Sequence, residues 1–313
     1  MGIELIEKQV GSFRREVSLK KYCTWHIGGT CDLLIEPGSA QQIQNAIQYV
    51  REQNIPYAVI GGGAKLLFDD EGVRGALIRF GRNFSSLNID GVSVLAEAGI
   101  RSANLTHALE KEGLAGLEFL EGIPGTLGGM VFMNAGCSGF TIGERVRQVW
   151  ALDETGQVIR LNHDECEFSY RRSVFHKRPL IILHVELECK KSDPEKIRER
   201  AQQALKLRAD KFPLEFPSCG SVFAALPRHL EHLGSPGKLI EDAGLKGLRI
   251  GDAEVSEKHA NFIVNRGEAT SADVIALVRK VRDAVREKTG ASLECEARYV
   301  FPDAKVRRLH EIL

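Results

Sequence analysis

The sequence predicts a mixed α/β protein built from more than one packed unit, and three observations lead there. The chain has 313 residues, more than one small core organises, so two or three units are expected. Its apolar periodicity switches repeatedly between a helical and a strand period. Two glycine-rich stretches adjoin apolar runs, as loops do where an α/β scaffold brings backbone close to a ligand.

The elements follow in order. Ser39 is placed to cap a helix over 39–53, on which Ile43, Ala46, Ile47 and Val50 form one apolar face. YAVIGGG (57–63) reads as a strand entering a glycine turn, and GALIRF (75–80) and VSVLAEAG (92–99) as further strands. A helix over 102–112 precedes the most glycine-rich part of the chain. VWALDETGQVIRL (149–161) reads as a hairpin with ETGQ as its turn, and RPLIILHVELE (178–188) as another strand. Asp193 as N-cap and Pro194 at the first helical position open a charged helix to about 209. Beyond KFPLEFP come a short helix near GKLIEDAG (237–244) and a strand around HANFIVN (259–265). A long helix from 271 to about 288 follows, with Val274, Leu277, Val278, Val281 and Val285 on one stripe. SLECEARYV (292–300) reads as a strand, on which Glu294 and Glu296 would share a face. The expected units are 1–75, 76–212 and 213–313.

Composition narrows the function. The chain is 43% apolar and 27% charged, with Lys+Arg and Asp+Glu balanced at 42 each. No net field draws it to nucleic acid or to a membrane surface. The first residues show no basic start followed by an apolar run, so no secretory signal is expected, and no apolar stretch is long enough to span a bilayer. Seven scattered cysteines without a C-x-x-C pair favour reduced thiols in a cytoplasmic protein over disulfides or zinc. His229 and His232 could share a helix face, but no nearby cysteine completes a metal site, so no metal is expected.

The two glycine loops are GGGAKLLFDD (61–70) and GIPGTLGGMVFMNAGCSG (122–139). Successive N–H groups in such turns form nests suited to a pyrophosphate, although tight turns between strands would look similar. Neither loop is G-x-x-x-x-G-K-[ST], and neither is a G-x-G-x-x-G between strand and helix. A dinucleotide bound here would be held in another way. FPSCGSVF (216–223) adds two nucleophile types, Cys219 and Ser221. Acyl transfer by either needs a histidine base in reach, and no G-x-S-x-G elbow supports it.

These stretches occur in an ordered set: YCTWHIGGTCDLLIEP (22–37), both glycine loops, ECEFSYRRSVF (165–175), PSCGSVF (217–223), the run 237–265 and LECEARYV (293–300). The set resembles the UDP-N-acetylenolpyruvoylglucosamine reductases, over nearly the whole chain. The resemblance implies an FAD-binding region of the vanillyl-alcohol-oxidase type, made of two α/β subdomains, with a C-terminal α/β substrate domain. It implies noncovalent FAD and NADPH as cosubstrate, and reduction of UDP-N-acetylglucosamine enolpyruvate to UDP-N-acetylmuramate for peptidoglycan. A monomer acting in the cytoplasm without nucleic acid or membrane is expected. The alternative is another FAD-dependent oxidoreductase on the same scaffold. The short spacing from Arg171 to Ser221 resembles the subclass that lacks a tyrosine-bearing insertion.

The resemblance carries roles onto residues. Arg171 matches the arginine that holds and polarises the substrate carboxylate, a task suited to a planar, permanently charged fork. Glu296 matches the glutamate that acts on the enolate-like intermediate; if it lies against the substrate carboxylate it should be protonated to help, which requires a raised pKa. Ser221 matches the proton donor to carbon. Cys219 becomes a packing residue and Gly220 the turn beside it. Cofactor contacts are expected from Gly61, Gly62, Gly63, Ala64, Lys65 and Leu66, and from Gly122, Pro124, Gly125, Thr126, Gly128, Gly129, Asn134, Ala135 and Gly136. Ala64 and Lys65 stand where the family usually has Ser-Asn, so Lys65 is expected either to meet the FAD pyrophosphate as a point charge or to point to solvent. Ala224 and Ala225 stand where a polar residue is usual.

Overall fold

The computed structural model of the chain describes residues 8–313. The elements of the first part are β1 (Ser12–Ser18), β2 (Thr30–Glu36), α1 (Ala40–Glu52), β3 (Tyr57–Ile60), β4 (Leu66–Phe68) and β5 (Val73–Arg79). Next come β6 (Leu87–Asp90), β7 (Ser93–Glu97), α2 (Ser102–Lys111), α3 (Leu127–Phe132), β8 (Val146–Leu152), β9 (Val158–Asn162), β10 (Ile181–Glu188) and α4 (Pro194–Lys211). The last part holds β11 (Ser218–Ser221), α5 (Pro236–Asp242), β12 (Arg249–Ile250), β13 (Ala253–Val255), β14 (Phe262–Asn265), α6 (Ser271–Thr289), β15 (Arg298–Val300) and β16 (Val306–Arg308). The class is mixed α/β, as expected.

The first sheet runs β1-β2-β5-β3, with parallel pairs flanking β5 and an antiparallel edge. Its central strands carry the unbroken apolar triplets Leu33-Leu34-Ile35 and Ala76-Leu77-Ile78 because both faces are covered. Leu33, Ile35, Ala76 and Ile78 join the core that holds the α1 stripe Ile43, Ala46, Ile47 and Val50. Leu34 and Leu77 point the other way, into a core shared with Leu277, Val281 and Val300 near the C-terminus. The Ser39 hydroxyl accepts from the Gln42 amide at 3.2 Å and so starts α1 where the sequence places it.

The second sheet, β9-β8-β10-β7-β6, is antiparallel throughout. The third, β11-β14-β13-β12, is covered by α6, whose Val274, Leu277, Val278, Val281 and Val285 are all buried. A small fourth sheet, β16-β15-β4, sets β4 from the first glycine loop parallel to β15.

Five hydrogen bonds tie residues 25–70 to residues 263–299. The Trp25 indole donates to the Ile263 carbonyl at 2.7 Å, and the Asn265 amide donates back to the Trp25 carbonyl at 3.0 Å. The Asp70 carboxylate accepts from the Ser271 and Ala272 amides at 2.7 and 3.1 Å, which caps α6 from the first glycine loop. The Tyr299 hydroxyl meets Asp69 at 2.5 Å.

Two expectations need correction. The boundary at 75 falls inside β5, which pairs in the first sheet through Arg79. The strand expected over 292–300 begins only at Arg298. Before it the backbone bonds are drawn to another segment: the Ala224 amide donates to the Glu294 carbonyl and the Glu296 amide to the Val222 carbonyl. Glu294 is exposed and Glu296 buried, so they do not share a solvent face. Among the described residues no helix is long and apolar enough to cross a membrane.

Candidate active site

Ser221 owes its position to a β-bulge. Ser218 pairs with Val264 and Ser221 with Phe262, so β11 takes three steps while β14 takes two. Gly220 absorbs the extra residue at φ +74°, where a side chain would be strained. On a regular strand Cys219 and Ser221 would point the same way. With the bulge, Cys219 is 2% exposed in the core and Ser221 is half-buried at the surface of the cleft. Burial pushes the Cys219 thiol up to about 12, so it is a packing group and not a nucleophile at neutral pH.

Arg171 sits on a tight turn closed by reciprocal bonds between Ser169 and Arg172 (3.0 and 3.1 Å) and takes a left-handed φ of 53°. A non-glycine residue held there costs about 1–2 kcal/mol, which the surrounding bonds sustain. Its Nη2 donates to the Gly136 carbonyl at 2.7 Å and its Nε to Glu296 Oε1 at 3.3 Å. The guanidinium thus ties the second glycine loop to the C-terminal segment.

Glu296 is the centre of the cluster. Its side chain is 5% exposed, and it pairs with Lys65 Nζ at 3.0 Å through Oε2 and with Arg171 through Oε1. Burial alone would raise its pKa, but the two cations outweigh burial and hold it below the ordinary carboxylate value. In the free protein Glu296 is therefore ionised; the raised pKa is expected of it beside a substrate carboxylate. The Lys65 ammonium donates to the Ser221 carbonyl at 2.6 Å and keeps a quarter of its side-chain surface exposed. Arg171, Ser221 and Glu296 are brought into one cluster, with Lys65 bonded to the last two.

One contributor was missed from sequence, and Lys65, expected at the cofactor, bonds Ser221 and Glu296. The Tyr170 hydroxyl lies 3.4 Å from Glu296 Oε1 and accepts from the Ala225 amide at 3.3 Å. Nothing in the sequence distinguished it from an ordinary surface tyrosine.

The glycine loops lie against one another. A Cβ on Gly61 would stand 2.2 Å from Thr126 Oγ1, and one on Gly62 would stand 2.8 Å from the Gly125 α-carbon. Among the described residues, the amides of Gly62, Gly63, Ala64 and Lys65 donate to no acceptor, and Thr126 Oγ1 is buried without a partner. Unpaired amides on a loop packed against an orphaned hydroxyl fit an anionic group such as the FAD pyrophosphate. Pro124 and Gly129 are exposed on the same loop pair.

Other expected contacts are used within the protein. The Leu66 amide closes the loop on the Gly63 carbonyl, the Gly128 amide bonds Ala98, and the Ala135 amide bonds Met130. Gly122 packs against Leu205 and Arg208 of α4. The Asn134 side chain binds the Ser169 carbonyl and the Gly143 amide, fixing the arginine-bearing turn.

Comparison with known proteins shows which family the chain resembles. Residues 31–162 match an FAD binding domain model, and residues 212–300 match the C-terminal domain model of UDP-N-acetylenolpyruvoylglucosamine reductase. UDP-N-acetylenolpyruvoylglucosamine reductase 1 of Corynebacterium glutamicum is 40% identical over 300 residues, covering 96% of this chain and 90% of its own. The Heliobacterium modesticaldum reductase is 41% identical over 290 residues, covering 93% and 91%. The crystal structure of the reductase from Thermus caldophilus superposes with a TM-score of 0.77 at 34% identity, covering 92% of this chain and 99% of that one. This chain therefore belongs to the UDP-N-acetylenolpyruvoylglucosamine reductase family.

Proposed function

We propose that the protein catalyses the NADPH-dependent reduction of UDP-N-acetylglucosamine enolpyruvate to UDP-N-acetylmuramate, with noncovalent FAD, as a step of peptidoglycan precursor synthesis. One observation carries the reading. Arg171, Glu296 and the Ser221 bulge, from three distant parts of the chain, are joined by a 3.3 Å ion pair and by the Glu296 amide bonded to Val222.

The chemistry that bound FAD supplies is relay of a hydride from NADPH to the enol ether. The free amides at 62–65 and the Thr126 hydroxyl would hold its pyrophosphate. The chain's own residues do the rest. Arg171 binds the substrate carboxylate and draws charge toward it, in a site where preplaced charge is worth most. A second carboxylate arriving beside Glu296 adds like charge, which lifts the Glu296 pKa from its depressed value and favours the protonated, hydrogen-bond-donating form. Ser221 gives its proton to the adjacent carbon. The Lys65 ammonium, held on the Ser221 carbonyl, keeps positive charge on the residue that gives the proton up.

We read the chain as a member of the subclass without the tyrosine-bearing insertion. Seven free thiols suit the reducing interior of a cell. Light scattering of the holoenzyme is expected to give the 34.6 kDa monomer mass.

The test is spectroscopic. Purified protein is expected to be yellow, to bleach with NADPH without oxygen, and to recolour anaerobically on adding UDP-N-acetylglucosamine enolpyruvate, with UDP-N-acetylmuramate formed. Recolouring by oxygen but not by the enolpyruvyl nucleotide would assign the chain to another flavin oxidoreductase.

A further inference from the structure

Lys65 lies at the end of the first glycine loop. Its backbone is fixed by the sheet, because its carbonyl accepts from the Arg298 amide at 2.8 Å where β4 meets β15. Its side chain reaches the Ser221 carbonyl on β11 and the Glu296 carboxylate. Gly220 leaves that path open: a Cβ there would meet only the Lys65 ammonium, at 3.9 Å.

An ammonium has three donors. One goes to the Ser221 carbonyl at 2.6 Å and one to Glu296 Oε2 at 3.0 Å. Among the described residues no third partner is present, and the side chain keeps a quarter of its surface exposed. Charge gives the same result as donor count. Lys65 and Arg171 bring two positive charges and Glu296 one negative, so the cluster carries one uncompensated positive charge. Glu296 is sealed at 5% exposure while both cations are about a quarter exposed, so the excess charge is accessible from outside. The other groups against Glu296 do not cancel it: Tyr170 brings a hydroxyl and Cys219 a buried thiol. A monoanionic ligand is what this site lacks.

We propose that Lys65 is a second carboxylate-binding cation of the site, pairing with Arg171 across the carboxylate of the enolpyruvyl substrate and of its product. The proposal rests on the reductase reading above. Two cations then hold one carboxylate, whose negative charge matches the one uncompensated positive charge of the free cluster.

The experiment compares two nucleotides on the oxidised holoenzyme by calorimetry: UDP-N-acetylmuramate, which carries the carboxylate, and UDP-N-acetylglucosamine, which does not. Lys65→Met is expected to weaken the first about 10- to 100-fold, the value of a hydrogen bond to a charged group, and the second less than about threefold. Lys65→Arg, which keeps the charge, restores part of the preference. Lys65→Gln, neutral but polar, repeats the comparison if the methionine variant does not hold flavin. Equal losses for both nucleotides, as a merely structural lysine would give, overturn the proposal, and so does an unchanged preference. A wild-type protein that binds neither nucleotide removes the reductase reading itself and the proposal with it.

Discussion

Ser221→Ala separates the proton-donor role from every other role of the FPSCGSVF segment. The hydroxyl makes no hydrogen bond among the described residues, and the residue is half-buried. Alanine keeps the backbone carbonyl that receives Lys65 and leaves Gly220 to form the bulge. The stability change is therefore expected within about 0.5 kcal/mol. What is lost is the proposed general acid, worth about 10²- to 10⁴-fold in the step that uses it, or about 2.7–5.5 kcal/mol of barrier. Anaerobic stopped-flow absorbance of the holoenzyme reads the two half-reactions apart. Reduction by NADPH is expected at the wild-type rate, and reoxidation by the enolpyruvyl nucleotide slower by that factor. Equal slowing of both halves would refute the reasoning, as would reoxidation within about threefold of wild type.

Further outcomes test the frame around the site. Gly220→Ala meets no steric obstacle, with only Lys65 Nζ within 4 Å, at 3.9 Å, but forces a left-handed alanine at φ +74°; about 1–2 kcal/mol of stability is expected to go, read by the urea midpoint, with reoxidation slowed more than reduction. Asp70→Asn weakens two charge-assisted bonds at the start of α6, and an expected loss of about 1–2 kcal/mol in urea should leave the NADPH half-reaction unchanged. His176 is pulled from 6.5 down to about 4 by burial first and then by Arg298 and Arg308. Between those values the unfolded chain binds a proton that the folded chain does not, so stability falls as pH drops from 6.5 toward 4; His176→Gln is expected to flatten that limb in urea titrations across pH. Of the seven free cysteines only Cys137 is not buried, so a thiol reagent is expected to titrate one group in the folded protein and the other six after denaturation.

Helices and sheet strands were legible in the sequence because their causes are local. Ser39 before an i, i+3, i+4, i+7 apolar stripe is sufficient for α1, and the valine stripe from Val274 to Val285 for α6. The run 292–296 was misread because its apolar alternation is local but its backbone partners are not. Its hydrogen bonds go to Val222 and Ala224, some seventy residues earlier by the numbering, and pairing with β4 starts only at Arg298. The first unit boundary failed for a similar reason: nothing around residue 75 indicates that β5 continues in the same sheet to Arg79.

The candidate site was legible as a set of residue types and illegible as a charge arrangement. The resemblance named Arg171, Ser221 and Glu296, but the state of Glu296 depends on a residue 231 positions away by the numbering, Lys65, whose reach no pattern of spacing reveals. That dependence changes what the glutamate can do. Had it been buried alone, desolvation would have left it neutral and ready to donate from the start. Clamped between Lys65 and Arg171 it is ionised, and two bonds hold it back from the cleft. The same two cations are what an incoming carboxylate needs, so ligand and Glu296 compete for them. Binding then does two things at once. It brings a negative charge to a cluster with one positive charge in excess, and it draws on the cations that keep the Glu296 pKa low. The free enzyme need not carry a protonated glutamate for the reaction to have one, because the substrate's own charge shifts the group that acts on it.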